Sequence, residues 1–137
     1  MDLVVAIDGV SGSGKSTAAK SLAVALGVDC LDTGAMYRAV AWLALQRDLE
    51  PADEVAVAEL LAGFEVEVTP EQVVAVSPLL PAGPCDITHA IRTPAVTAAA
   101  SEIAKNLAVR TRLQELQRAW IGVRGKGVVE GRDIGTV

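Results

Sequence analysis

Residues 9–17 read GVSGSGKST and stand directly behind the apolar, β-branched run Leu3-Val4-Val5-Ala6-Ile7. Gly9, Gly14, Lys15 and Ser16 fit the spacing GxxxxGK[ST], which marks a strand, a phosphate-cradling loop and a helix. A polyphosphate needs many N–H donors at close range, and glycines let the backbone curl around it where side chains would collide. The helix N-terminus adds partial positive charge. In this arrangement Lys15 bridges the outer phosphates as a point charge, and the Ser16 hydroxyl ligates the Mg2+ that neutralises them. The competing reading is a glycine-rich turn with an exposed lysine, but chance matches arise on the order of once in a few hundred chains of this length at average composition. Asp8 either orients the loop or ends the strand in solvent.

Two further polar clusters fall at strand ends. Val28 to Leu31 reads as a second strand ending at Asp32-Thr33-Gly34, with Tyr37 and Arg38 in the first turns of the helix that follows. Gly127-Val128-Val129-Glu130 reads as a buried strand followed by Gly131-Arg132-Asp133. In open α/β sheets the carboxyl ends of the strands are where ligands bind.

The elements that must position these groups follow from periodicity. Ala18, Ala19, Leu22, Ala23 and Leu26 recur at helical spacing behind Lys15, with Gly27 as C-cap. Thr33 can cap a helix whose inner face is Met36, Ala39, Val40, Leu43 and Ala44. Asp53 caps a short helix through Leu61, closed by Gly63. The period then alternates: Phe64, Val66 and Val68, separated by Glu65 and Glu67, continue into Val74 and Val76 beyond Thr69-Pro70-Glu71, an antiparallel hairpin with one wet face. Its glutamates read as that solvated face, not as a catalytic pair. Ser77 to Pro84, with three prolines and a glycine, reads as a loop. Thr93-Pro94 starts a helix with Val96, Ala99, Ala100, Ile103 and Leu107 as its buried stripe and Thr97, Ser101 and Lys105 opposite. A further amphipathic stretch turns Val109, Leu113, Leu116, Trp120 and Val123 inward, leaving Arg110, Arg112, Gln114 and Arg118 outside or toward a cleft. Trp42 and Trp120 read as core or boundary residues.

With 137 residues and 51% hydrophobic content the chain can bury one core. A net charge of −5 argues against a groove that follows a nucleic-acid backbone by bulk electrostatics, so phosphate binding must be local. No apolar stretch is long enough to span a bilayer and no basic leader precedes one, which makes the cytoplasm the default compartment. Cys30 and Cys85 sit in no metal or redox spacing and read as reduced, packed thiols. His89 is the sole histidine, which rules out a two-histidine metal site and suits a surface or helix-start position.

Four separated segments coincide with one family: IDGVSGSGKST, LDTGAMYRA, AIRTPAVTAAASEIAKNLAVRTRLQELQR and VVEGRDIGTV. With the hairpin between them they cover nearly all of the chain, which resembles the amino-terminal portion of a bacterial cytidylate kinase. TGAMYR and GRDIGTV are family signatures that other nucleotide kinases lack. The resemblance implies an α/β fold, a P-loop nucleoside monophosphate kinase-like parallel sheet flanked by helices with a small antiparallel β insert. It implies one incomplete domain over 1–137, with a core at 1–50 and 124–137 and a substrate-binding insert and helices at about 51–123. The implied reaction moves the γ-phosphoryl group of ATP to CMP or dCMP, in pyrimidine nucleotide metabolism. The implied enzyme is a monomer at full length, with no nucleic-acid or membrane partner.

By the same resemblance Gly9, Val10, Ser11, Gly12, Ser13, Gly14, Lys15, Ser16 and Thr17 hold ATP and Mg2+, with the metal on Ser16. Thr33, Tyr37 and Arg38 contact the monophosphate substrate, Arg38 on its phosphate and Tyr37 against the pyrimidine. Ser101, Arg110 and Asp133 hydrogen-bond the cytosine edge, Arg132 shares the acceptor phosphate, and Lys15 and Arg132 are the catalytic pair. The chemistry suits these assignments. Cytosine offers an exocyclic amine donor beside ring-nitrogen and carbonyl acceptors, so it needs both a carboxylate and a donor such as arginine. Arginine grips a phosphate bidentately and fixes the acceptor oxygen in line. Phosphoryl transfer is mostly positioning and charge neutralisation, so no general base has to be found. Surface solvation is the alternative for each arginine taken singly, and a helix cap or exposed hydroxyl explains Thr33 and Ser101 equally well.

The family pattern continues past GRDIGTV into two more parallel strands, an arginine-rich lid and a closing helix, none of which this sequence contains. The chain therefore reads as part of a longer enzyme, with weak or no turnover by itself and an unpaired sheet edge. The insert of the family carries a third short strand, which Pro78, Pro81 and Pro84 interrupt here. Rival readings are another small-metabolite or nucleoside monophosphate kinase, such as one acting on adenylate or shikimate, and a non-catalytic phosphate-binding module. A P-loop GTPase would need an NKxD motif, which the sequence lacks.

Overall fold

The structure, a computed structural model, describes residues 3–8 and 15–131, with side chains for 4–7 and 17–129. The expected cradle Gly9–Gly14 and the acceptor residues Arg132 and Asp133 lie outside the described residues. In chain order the elements are β1 (Leu3–Asp8), α1 (Lys15–Leu26), β2 (Cys30–Asp32), α2 (Thr33–Gln46), α3 (Glu54–Glu59), β3 (Glu65–Val68), β4 (Val73–Val76), β5 (Cys85–Asp86), a 3-10 turn (Ala90–Arg92), α4 (Pro94–Ile103), α5 (Leu107–Arg124) and β6 (Lys126–Gly131). They form two compact units, one of Met1–Gly34 with Gln114–Val137 and one of Ala35–Leu113.

The first unit is built on a three-stranded parallel sheet of order β1-β6-β2. Its core joins Ala19, Ala23 and Val128, with Val5, Ile7, Leu22, Val28 and Cys30 packed around them. Alternation along β1 turns Val5 and Ile7 to this core and leaves Val4 43% exposed. The helical stripe expected on α1 is narrower than its spacing suggested: Ala19 and Ala23 are buried, but Ala18 is exposed and Leu26 is 42% exposed. Three strands are only about 10 Å wide between outer axes, enough to cover the central row of a helix and leave its flanks wet. Gly27 ends α1 as expected, with φ 66. Its N–H donates to the Val24 carbonyl at 3.2 Å and that of Val28 to the Ala23 carbonyl at 3.0 Å, the bond pair of a Schellman cap. That cap consumes Val28, so β2 starts at Cys30 and not at Val28.

At the carboxyl end of α5 the Trp120 indole lies against β6, where a Cβ on Gly127 would approach the ring edge to 2.5 Å. The Arg124 guanidinium stacks over that indole, 4.3 Å from the ring centroid, and its Nε–H donates to Asp29 Oδ2 at 3.0 Å. Arg124 thus takes the place one turn beyond Trp120, and Val123, expected to face inward, is 85% exposed.

The second unit begins with α2, whose expected inner residues Met36, Ala39, Val40, Leu43 and Ala44 are all buried. Asp53 caps α3, its Oδ1 accepting the Ala56 N–H at 3.1 Å, although the helix stops at Glu59. The hairpin is present, but its second strand faces the other way from the expectation. Val73 and Ala75 are buried, while Val74 and Val76 are only partly so. The register pairs Val68 with Val73 and Glu67 with Val74. A four-residue connection, Thr69 to Gln72, puts the odd positions of β4 opposite the even positions of β3, so reading the alternation straight through the turn slips it by one residue. A third strand exists as well: β5 follows the three prolines and pairs with β4 through Val74–Asp86 and Ala75–Cys85. The prolines precede this strand and do not interrupt it.

Asp86 ties the end of this sheet together. The Thr88 hydroxyl donates to Asp86 Oδ1 at 2.6 Å, the Gln72 amide to Oδ2 at 3.0 Å, and the Thr88 N–H to Oδ1 at 3.0 Å. These donors favour the ionised form and hold the carboxyl at about 2, below its ordinary value of 3.8. A depressed carboxylate stabilises the fold fully above its unfolded value and loses that contribution as pH falls toward its folded value. We therefore expect the β3-β4-β5 sheet to weaken between pH 4 and pH 2. In Thr88→Val the Asp86 midpoint should move up toward 3.8 in a carboxyl-carbon NMR titration, and an unmoved midpoint would mean these donors are not its cause.

Thr93 caps α4 through Oγ1, which accepts the Val96 N–H at 3.3 Å, and Val96, Ala99, Ala100 and Ile103 are buried as expected. Leu107 does not extend that stripe. The helix ends at Ile103, α5 starts at Leu107 as a separate helix, and Leu107 is 74% exposed. His89 is exposed just ahead of the 3-10 turn, and both cysteines are free thiols.

Candidate functional site

Parallel pairing decides which loops emerge together. In the first unit Asp8 pairs with Gly131 and Asp32 with Glu130, so the carboxyl ends of all three strands lie along one edge of the sheet. From that edge the chain passes to the glycine-rich segment after Asp8, to Thr33 after Asp32, and to Arg132 and Asp133 after Gly131. Thr33 is buried and opens α2. Lys15, Ser16 and Thr17 form the first turn of α1, which carries no acidic residue. Within that turn of a twelve-residue helix no carboxylate offsets the partial positive charge of the helix N-terminus, which favours an anion there.

In the second unit Tyr37 and Arg38 lie in the amino-terminal half of α2, both half-buried, and Arg38 Nε is buried. Ser101 is exposed on α4, and its hydroxyl donates to the Thr97 carbonyl at 3.4 Å within the same helix. Arg110 is exposed in the first turn of α5, with no side-chain partner among the described residues. Arg112, expected outside or toward a cleft, instead runs inward and donates from Nη2 to the Phe64 carbonyl at 2.9 Å, so its work is to hold the entry to β3. A groove of about 490 Å³ lies between α3 and the start of α5, lined by Glu54, Val55, Ala58, Glu59, Asn106, Leu107 and Ala108 and by none of the expected site residues.

Asn106 is the residue of this region that pattern reading passed over. It is 4% exposed; its Oδ1 accepts the Ala108 N–H at 3.0 Å and its Nδ2 donates to the Glu54 carbonyl at 3.1 Å. The available signal was an asparagine just ahead of an apolar helical run, an N-cap signature, which a single continuous stripe from Val96 to Leu107 concealed. Among the described residues no group of three or more His, Cys, Asp or Glu could hold a metal ion, and no helix is long and apolar enough to cross a membrane.

A parallel sheet flanked by helices, a Lys15-Ser16 start to the helix behind the first strand, and a small antiparallel sheet are consistent with a P-loop kinase-like α/β fold. The chain belongs to the cytidylate kinase family, whose profile, described as Cytidylate kinase, matches residues 5–137. Over 133 residues it is 50% identical to the bifunctional pantoate ligase/cytidylate kinase of Synechocystis sp., an alignment covering 97% of this chain and 26% of that relative. It is 47% identical to the protein of the same description from Nostoc sp. and 48% to that from Prochlorococcus marinus, in each case over 97% of this chain and 25% and 26% of the relative. The chain thus spans about a quarter of the length of these relatives.

Proposed function

We propose that this chain carries the nucleotide-handling part of an enzyme that phosphorylates CMP or dCMP with ATP, giving the diphosphate, within pyrimidine nucleotide metabolism of the cytoplasm. The observation that supports this reading is the register of the parallel sheet, which aligns along one edge the carboxyl ends of the strands that precede the glycine-rich segment, Thr33 and the GRD segment in the chain. Family membership supports the choice of substrate.

The residues divide the work by charge. Main-chain N–H groups of Gly9 through Thr17 wrap the triphosphate, and Lys15 draws the outer phosphates into line as a compact ammonium. The Ser16 hydroxyl would hold Mg2+, which when bound would supply neutralisation of the charge that repels the incoming acceptor. Arg38 and Arg132 hold the acceptor phosphate, whose oxygen attacks the γ-phosphorus while the bond to the leaving diphosphate breaks. Lys15 and Arg132 stabilise the charge on the transferring group and are the catalytic residues of this proposal. Tyr37 lies against the pyrimidine, Asp133 accepts from its exocyclic amine, and Arg110 and Ser101 donate to its acceptors. The enzyme is read as a monomer that engages small nucleotides and neither nucleic acid nor membrane.

Competition binding by calorimetry among CMP, UMP, AMP and shikimate tests the proposal. CMP is expected to bind at least tenfold more tightly than AMP or shikimate, since each mismatched hydrogen bond to a base is worth roughly 1–3 kcal/mol. Equal affinity for all four, or none for CMP, overturns it.

A further inference from the structure

Arg110 stands in the first turn of α5, and the geometry of that turn rests on Asn106. The Asn106 carbonyl accepts the Arg110 N–H at 3.0 Å. Its side chain makes two more bonds with opposite polarity, taking the Ala108 N–H on Oδ1 and giving Nδ2–H to the Glu54 carbonyl. One buried amide thus satisfies a free donor of α5 and a main-chain acceptor at the start of α3. A long arginine side chain has many rotamers to lose, so its aim is set first by where its backbone is held.

We infer that Asn106 is a positioning residue for pyrimidine recognition: it clamps α5 to α3 and thereby fixes the turn from which Arg110 reaches the base. This rests on the proposed role of Arg110. The amide is the one short side chain that fits both demands. Aspartate at this position keeps the cap on Ala108 but offers no donor to the Glu54 carbonyl, and serine keeps a capping hydroxyl but is too short to reach it.

The test is a double-mutant cycle read by calorimetry on the full chain with CMP and with ATP. Arg110→Ala is expected to weaken CMP binding about 10- to 100-fold, the loss of a charged hydrogen-bond partner. Asn106→Asp and Asn106→Ser should each weaken CMP about three- to tenfold while leaving ATP affinity unchanged. In the Arg110→Ala background neither should weaken CMP further. Additive losses, an equal loss of ATP affinity, or unchanged CMP affinity in both Asn106 variants overturn the positioning role while Arg110 keeps its assignment. Unchanged CMP affinity in Arg110→Ala overturns the assignment of Arg110 itself and this inference with it.

Discussion

Lys15→Ala is expected to abolish ATP binding by this chain, a loss of about 100-fold or more in affinity by calorimetry, while CMP still binds. A hydrogen bond to a charged group contributes roughly 1.5–3 kcal/mol, and this ammonium faces more than one phosphate oxygen in the proposed site. Its place at the start of α1 explains the size of the effect: no carboxylate competes for it in that turn, and the helix itself adds charge of the same sign. Asp133→Ala is the counterpart, expected to spare ATP and to erase the preference for CMP over UMP. Equal loss of ATP from both substitutions would overturn the division of labour between the two segments.

Phe64→Ala should destabilise the second unit by about 3–5 kcal/mol, a large share of the roughly 5–15 kcal/mol that holds a domain of this kind. Phe64 is 1% exposed and is the chain's only phenylalanine, in a core otherwise made of aliphatic side chains and many alanines. Removing the ring leaves a cavity that the surrounding packing fills only in part. The fixed backbone resists collapse too, because the Phe64 carbonyl is held by Arg112. Urea denaturation followed by circular dichroism reads the change, and a loss below about 1 kcal/mol would mean the ring is not part of the core. Phe64→Leu, which keeps most of the volume, should cost less than about 1.5 kcal/mol.

Where the sequence was legible, a single physical rule governed the residue. Gly27 had to end α1 with a positive φ, Thr93 had to cap α4, and the Ala-rich face of α2 had nowhere to go but inward. The strands β1 and β6 were legible because apolar runs rich in valine and isoleucine have few other fates. What failed to show were features that two distant segments decide jointly. The face of β4 depends on the length of the connection at Thr69 to Gln72, which periodicity within either strand does not report. Arg112 looks like any surface arginine until the Phe64 carbonyl is brought to it. Gln117, 2% exposed, lies in a stripe whose other members are apolar, and nothing in its type announces burial. For the candidate site, spacing suggested residue identities, while the alignment of the strand ends that precede three of the proposed segments along one sheet edge became visible only with the strand register.

The partition of the chain has a temporal consequence. The unit Ala35–Leu113 is continuous, whereas the other is assembled from both ends, because Leu3 takes its ladder partner from Lys126. Contacts of such high order form late, since the entropy of closing the intervening chain opposes them until everything between is compact. Pairing within Ala35–Leu113 needs no such closure, so the β1–β6 ladder is expected to be the later of the two to form.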